Sequence, residues 1–263
     1  FTSYLGSLKT SSRSALMGWA LDLDGVVWLG TESIPGVAEA VAALQNAGET
    51  VLFVTNNSGR RLSDVEKKLA SHGIDAQGGV ITSAMAASQL VKPGERVLGM
   101  CGPGCREELE SQGAIVVEEG PVDAVIVGFH ESFDYWGLTA GIQAILGGAR
   151  FLATNEDVTY PAEDGIRAGA GSIVAALQAA TKVKPEVAGK PHQPICDLVI
   201  ARGGESGIVV GDRPDTDGLL ARSLNWKFAL VLSGVTGESE LPTDPAPDSV
   251  HRDLPALVEE YLG

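Results

Sequence analysis

The chain has little of several things. Its 263 residues include only three cysteines, Cys101, Cys105 and Cys196. An odd, low count supplies no disulfide framework and suits a reducing compartment, so a cytoplasmic location is expected. Cys101 and Cys105 frame Gly102-Pro103-Gly104, yet a structural zinc site needs two further ligands and the sequence offers none nearby. Basic residues are also scarce: 19 Lys and Arg stand against 34 Asp and Glu, a formal net charge of −15. Such a surface repels phosphate backbones and anionic headgroups, which argues against nucleic acid and membranes as partners. It does not exclude a small anion, because a bound divalent cation inverts the field locally. No apolar run approaches the roughly 18 residues that span a bilayer. Residues 1–16 are polar and lack the apolar middle of a secretory signal. The expectation is a natural start near Met17, with 1–16 a poorly ordered extension.

Glycine, in contrast, is plentiful at 33 residues, and it suits many short strand-to-helix turns. Apolar runs alternate with helical patterns, which predicts α/β architecture around a parallel sheet. Trp19–Leu23 reads as the first strand. Residues 35–47 read as a helix with Val37, Val41 and Leu44 at core spacing, closed by Gly48. Thr50–Val54 and Val80–Thr82 read as strands around a helix at Leu62–His72. A second cycle follows, with strands at 96–100, 124–127 and 150–154 and helices at 106–112, 135–146 and 172–181. The last third returns to the pattern of the first. It has a helix at 196–202, strands at 207–210 and 228–232 around a helix at 216–224, a loop rich in Pro and Asp at 238–249, and a closing helix at 254–262. Two cycles imply one domain inserted in another, the insert at about 86–182 within a core of 17–85 and 183–263.

Three of the strands end in polar clusters: Asp22/Asp24, Thr55/Asn56/Asn57 and Asp212. In a parallel sheet such ends share one edge, where open α/β folds bind ligands. Asp22 and Asp24 point to one side of an extended segment. Carboxylates gathered together repel and call for a cation or a shared proton. Hard oxygen donors without a nearby His favour Mg²⁺ over zinc. Mg²⁺ between a carboxylate and a phosphate dianion would offset their repulsion and let Asp22 attack phosphorus. Asp24 would then protonate the leaving alkoxide and later deprotonate water. Thr55 would hold phosphate oxygens, and Lys190 would add positive charge and orient Asp22.

As a set, Asp22-Leu23-Asp24-Gly25-Val26, Thr55-Asn56-Asn57, Gly189-Lys190-Pro191 and Gly211-Asp212-Arg213-Pro214-Asp215-Thr216-Asp217 resemble the four motifs of the haloacid dehalogenase (HAD) superfamily, in order. The extended Thr-Asn-Asn-Ser and Gly-Asp-Arg forms resemble its NagD/p-nitrophenylphosphatase branch. The resemblance spans residues 18 to about 235. It implies a Rossmann-like core with an inserted α/β cap of the C2 type. It implies Asp22 as nucleophile and Mg²⁺ ligand, Asp24 as acid/base and backbone-carbonyl ligand, and Asp212 as ligand. It further implies Thr55, Asn56 and Asn57 as the substrate-binding segment, Lys190 as charge balance and Asp217 as a supporting acid. Residues 153–161 resemble the substrate-specificity loop, with Tyr160 touching the leaving group. Pro214 and Gly218 depart from the pattern without removing a catalytic group. The expected function is hydrolysis of a small phosphorylated metabolite; cap-mediated homodimers occur in the branch. The alternatives are a phosphotransferase of the same family, or a non-catalytic phosphate-binding or receiver-like protein. His192 is tempting as a base, but a surface role is the more ordinary reading for it. Residues 99–104 lack the spacing of a dinucleotide loop.

Overall fold

The computed structural model describes residues 17–162 and 165–263. The extension expected at 1–16 lies outside the described residues. In chain order the elements are β1 (Gly18–Leu21), β2 (Trp28–Leu29), β3 (Glu32–Ser33), α1 (Val37–Asn46), β4 (Thr50–Thr55), α2 (Leu62–Ser71), β5 (Val80–Thr82), α3 (Ser83–Ser88), β6 (Arg96–Met100), α4 (Pro103–Ser111), β7 (Ile115–Val117), β8 (Ala124–Val127), α5 (Tyr135–Leu146), β9 (Arg150–Ala153), β10 (Thr159–Ala162), β11 (Gly165–Ala168), α6 (Ala170–Thr181), β12 (Glu186–Val187), α7 (Gln193–Gly203), β13 (Gly207–Gly211), α8 (Leu219–Leu224), β14 (Lys227–Val231), β15 (Ser249–His251) and α9 (Leu254–Leu262). They fall into two compact units. Among the described residues one comprises 17–54, Glu66–Val80 and Cys196–Gly263; the other comprises Thr55–Val65 and the described part of Ile81–Ile195.

The first unit is built on a six-stranded sheet of order β15-β14-β13-β1-β4-β5. β1 is parallel to both neighbours, with Ala20 opposite Leu52 on β4 and Val209 on β13. Every residue of β1 is buried, as a central strand covered on both faces requires. Helix α1 turns Val37, Val41 and Leu44 inward, the spacing that the sequence predicts. It packs on α9, whose Leu254, Leu257 and Val258 are buried. Asp253 caps α9 by accepting the Ala256 N–H at 2.9 Å. From β1 the chain crosses to β4 on one side, while β13 lies on the other. That reversal at β1 opens a crevice beyond the carboxyl ends of β1 and β13.

The second unit holds a five-stranded sheet of order β12-β9-β8-β6-β7, with every pairing parallel. Its central β8, Ala-Val-Ile-Val, is wholly buried. One apolar cluster joins Leu98, Met100, Val125 and Val127 of the sheet to Ile145 of α5 and Ile173, Val174 and Leu177 of α6. A fully buried Leu such as Leu177 contributes about 1.5–3 kcal/mol. β10 and β11 form a separate antiparallel hairpin that pairs Tyr160 with Arg167.

Every strand and helix anticipated from periodicity is present, with ends displaced by a few residues. What periodicity misses are short elements: the two-residue β2, β3 and β12, the edge strands β7 and β15, the six-residue α3, and the four-residue hairpin strands β10 and β11 in and after the segment read as a loop at 153–161. The helix expected at 216–224 begins only at Leu219. Pro214–Gly218 forms a π-type turn instead, consistent with Pro214 and Gly218 being weak helix formers.

Candidate active site

In the first unit the sequence of β1 stops being apolar at Asp22. The Asp22 N–H still donates to Val210 O at 2.9 Å, so the ladder with β13 carries the residue to the sheet edge. Asp212 follows Gly211, the last residue of the adjacent β13, and is 2% exposed. The π-type turn then folds Asp217 back: its N–H donates to Arg213 O at 2.8 Å, and its Oδ2 accepts the Arg213 N–H at 3.2 Å. Gly211 makes this fold-back feasible, since a Cβ there would overlap the Asp217 carboxyl group. Each of Asp22, Asp212 and Asp217 thereby offers one carboxylate oxygen, all within 4.8 Å of one another. Asp217, expected as a supporting acid, sits inside the cluster.

Three carboxylates this close repel one another, and burial of Asp212 and Asp217 strengthens the repulsion. A divalent cation relieves it, and the all-oxygen donor set fits a hard ion such as Mg²⁺. Asp24 stands outside this cluster. It is exposed, and its Oδ1 accepts the Trp28 indole N–H at 2.9 Å.

The loop after β14, Ser233-Gly234-Val235-Thr236, supports Asp212 and carries no motif that announces it in the sequence. The Val235 N–H donates to Asp212 Oδ2 at 2.6 Å, and the Thr236 N–H donates to Asp212 O at 3.3 Å. The Ser233 hydroxyl donates to Gly25 O at 2.6 Å. A Cβ on either Gly25 or Gly234 would overlap the Asp212 carboxylate. Gly25 also has φ +86°, a left-handed conformation that favours glycine. The legible signal is position: a small-residue loop closing the strand next to β13.

Thr55, the last residue of β4, opens the phosphate-motif segment, which lies in the second unit. Thr55 Oγ1 accepts the Asn57 N–H at 3.0 Å, and Asn57 Oδ1 accepts the Gly59 N–H at 3.0 Å. The Asn57 side chain thus shapes its own turn. Asn56 is the hub. Its Oδ1 accepts the Lys190 N–H at 2.8 Å, and its Nδ2 donates to Asp157 Oδ2 at 3.1 Å. Its carbonyl accepts from Ser83 Oγ at 2.7 Å and from Asn155 Nδ2 at 2.8 Å. Asn56 and Lys190, 134 residues apart, are brought together, as the motif order suggests. Ser83 is a partner that the sequence does not single out, while Asn155 and Asp157 lie in the segment 153–161, where the sequence assigns a contact to Tyr160 alone. Tyr160 is half-buried and meets the Phe129 ring edge-on at 5.1 Å. His192 pairs with Glu156 at 3.1 Å.

A parallel sheet with clustered carboxylates at its switch point fits the sites at which α/β enzymes bind ligands. Residues 19–115 match the family model described as haloacid dehalogenase-like hydrolase, and residues 187–257 match a HAD-hydrolase-like model. The chain is 33% identical over 250 residues to an acid sugar phosphatase of Staphylococcus saprophyticus, covering 92% of this chain and 96% of that one. It also resembles the solved 4-nitrophenylphosphatase of Thermotoga maritima, at TM-score 0.86 and 28% identity over 93% of this chain and 97% of the other. The glycerol phosphate phosphatase of Mycobacterium tuberculosis in complex with magnesium gives TM-score 0.84 and 34% identity over 92% and 76%. The chain belongs to the haloacid dehalogenase-like hydrolases, in their NagD-like branch, and is a phosphoric monoester hydrolase. Among the described residues no helix is long and apolar enough to cross a membrane.

Proposed function

We propose that the chain is a Mg²⁺-dependent phosphatase of small phosphorylated metabolites that works through an aspartyl-phosphate on Asp22. The observation that carries this reading is the cluster of Asp22 and Asp212, at the ends of neighbouring parallel strands, with Asp217 folded back from the turn after β13. Asp22 and Asp212 would hold the ion with the Asp24 carbonyl, and Asp217 would support them. When bound, Mg²⁺ supplies charge that offsets repulsion between carboxylate and phosphate. Asp22 attacks phosphorus in line, its new bond to phosphorus forming as the bond to the leaving oxygen breaks. Asp24 gives that oxygen a proton. It then takes one from the water that attacks the aspartyl-phosphate, which frees Asp22 and phosphate.

Thr55 and Asn56 are assigned to the phosphate, with Asn57 shaping their segment, and Lys190 balances its charge. Burial of Lys190 at 5% exposure supports this, since a buried ammonium is seldom a bystander. Residues 86–182 are assigned as the cap, with Tyr160 on the leaving group, and 17–85 with 183–263 as the core. Sugar and polyol phosphates are the favoured substrates, in keeping with the relatives' names. The protein is placed in the cytoplasm, with no nucleic acid or membrane partner and with a homodimer as the assembly to test. Three buried free thiols support a reducing compartment.

The test is hydrolysis of p-nitrophenyl phosphate, expected to stop with EDTA and return with Mg²⁺. Asp22→Asn should lose at least about a thousandfold in turnover. Near wild-type turnover by that variant would refute the nucleophile. A phosphoryl acceptor other than water would show as products beyond free phosphate.

A further inference from the structure

Asp24 lies in a turn that folds back on itself. The Val27 and Trp28 N–H groups donate to Leu23 O at 2.8 and 3.1 Å, and the Gly25 N–H donates to Trp28 O at 2.8 Å. The Leu23-to-Trp28 segment is thereby closed, and Trp28 returns beside Asp24. The Trp28 side chain is 4% exposed, and its indole N–H reaches the Asp24 Oδ1 at 2.9 Å. The ring itself is held from several sides. Lys68 Nζ sits 3.7 Å from its centroid and donates to Gly30 O at 2.8 Å, which binds α2 to the hairpin. The backbone of Trp28 pairs with Ser33 across that hairpin. The His72 ring lies 5.9 Å away.

We infer that Trp28 is a positioning residue for the proton transfer to the leaving group, acting through Asp24. The inference rests on the reading of Asp24 as acid and base. An indole nitrogen donates and never accepts. It therefore fixes Oδ1 as an acceptor and leaves the transferable proton on Oδ2. The two carboxyl oxygens, equivalent in a freely rotating Asp, become distinct. In the first half-reaction the proton passes from Oδ2 to the departing alkoxide as the bond from Asp22 to phosphorus forms. In the second, the same oxygen takes a proton from the attacking water. The ammonium over the ring face draws on its electron density and strengthens the N–H as a donor. A buried Trp usually finds some partner for its N–H, so the contact alone would be ordinary. Here the partner is an exposed carboxylate two residues from the nucleophile, and the turn is folded to bring them together.

Leaving-group dependence separates this role from a structural one. p-Nitrophenolate departs without a proton, whereas the alkoxide of glycerol phosphate needs one. Single-turnover release, with enzyme in excess, isolates the first half-reaction for both substrates. Trp28→Phe is expected to slow glycerol release about tenfold, within the range that general acids supply, and to leave p-nitrophenolate release within about twofold. In an Asp24→Asn background the same change should add no further loss for glycerol phosphate. Equal loss with both substrates, or a full additional loss in that background, overturns the role of Trp28 and leaves the phosphatase reading intact. Wild-type glycerol release by Asp24→Asn alone would remove the acid itself, and the inference with it. Benzothienylalanine at position 28 keeps the shape of the ring without its N–H. It supplies the same comparison where the Phe variant fails to fold.

Discussion

Gly234→Ala isolates what holds Asp212, the carboxylate proposed as a Mg²⁺ ligand. The backbone at Gly234 is not left-handed, so alanine brings no conformational penalty of its own. It brings crowding: the added Cβ would lie 2.5 Å from Asp212 Cγ and 2.6 Å from Asp212 Cβ. Carbon atoms pack at about 3.5 Å or more, so one partner has to move by about 1 Å. The clash involves the root of the Asp212 side chain as well as its tip, so rotation alone does not relieve it. A Mg²⁺ ligand tolerates displacements of about 0.2 Å around bonds of about 2.0–2.1 Å. The change also disturbs the hydrogen bond from the Val235 N–H to Asp212 Oδ2. Outer support of this kind is worth about tenfold to a hundredfold in metal affinity, or about 1.4–2.7 kcal/mol. The assay is a Mg²⁺ titration of p-nitrophenyl phosphate hydrolysis, with calorimetry of Mg²⁺ binding beside it. The midpoint should rise at least about tenfold, with a stability loss of about 1–3 kcal/mol from overpacking. A folded Gly234→Ala protein with its midpoint within twofold of wild type would refute the assignment of Asp212. Gly25→Ala should be the more destabilising of the pair, because φ +86° adds backbone strain of about 1–2 kcal/mol.

Asn56→Ala should lower unfolding free energy in urea by about 1–3 kcal/mol, because the buried Lys190 N–H loses its acceptor. It should also weaken competitive inhibition by inorganic phosphate; an unchanged inhibition constant would detach Asn56 from the phosphate. Burial pushes the His251 imidazole below its ordinary pKa of 6.5, with Glu260 opposing the shift. The unfolded chain then binds the extra proton first, so this contribution is complete above pH 6.5 and is lost as pH falls towards the folded value. Thermal melts of His251→Gln should therefore fall less steeply than wild type between pH 7.5 and 5.5, a range chosen around that value. Cys196 is pushed up to about 11 by burial, with Asp197 adding to it, and Cys105 is raised by its hydrogen bond with Cys101 and by burial. Ellman's reagent should accordingly find no fast thiol in the native protein and three after denaturation.

How far the sequence reaches follows from what each part of the site depends on. Asp22 and Asp212 are legible because each ends a buried apolar run, and a parallel sheet puts such ends on one edge. The pairing of Ala20 with Val209 puts Asp22 level with Gly211, so Asp212 follows one residue beyond and the two carboxylates come within 4.8 Å. Lys190 is legible only through its motif, because its backbone is fixed by Asn56 across 134 residues of chain. Asn155 and Asp157 are illegible as partners for the same reason: hydrogen bonds over about a hundred residues leave no local spacing. Gly234 shows the intermediate case. Nothing in Ser233-Gly234-Val235-Thr236 announces a role, yet β14 must follow α8 and lie beside β13, so the loop closing β14 has to pass the end that carries Asp212. A small residue is needed there because the carboxylate already fills the space a side chain would take. Trp28 follows the same logic at shorter range. A turn that reverses at Gly25 returns the chain after four residues, and the side chain arriving beside Asp24 is the one able to donate to it. Loops at a catalytic edge are thus constrained by the strands that deliver them, and their sequences become readable once the strand order is known.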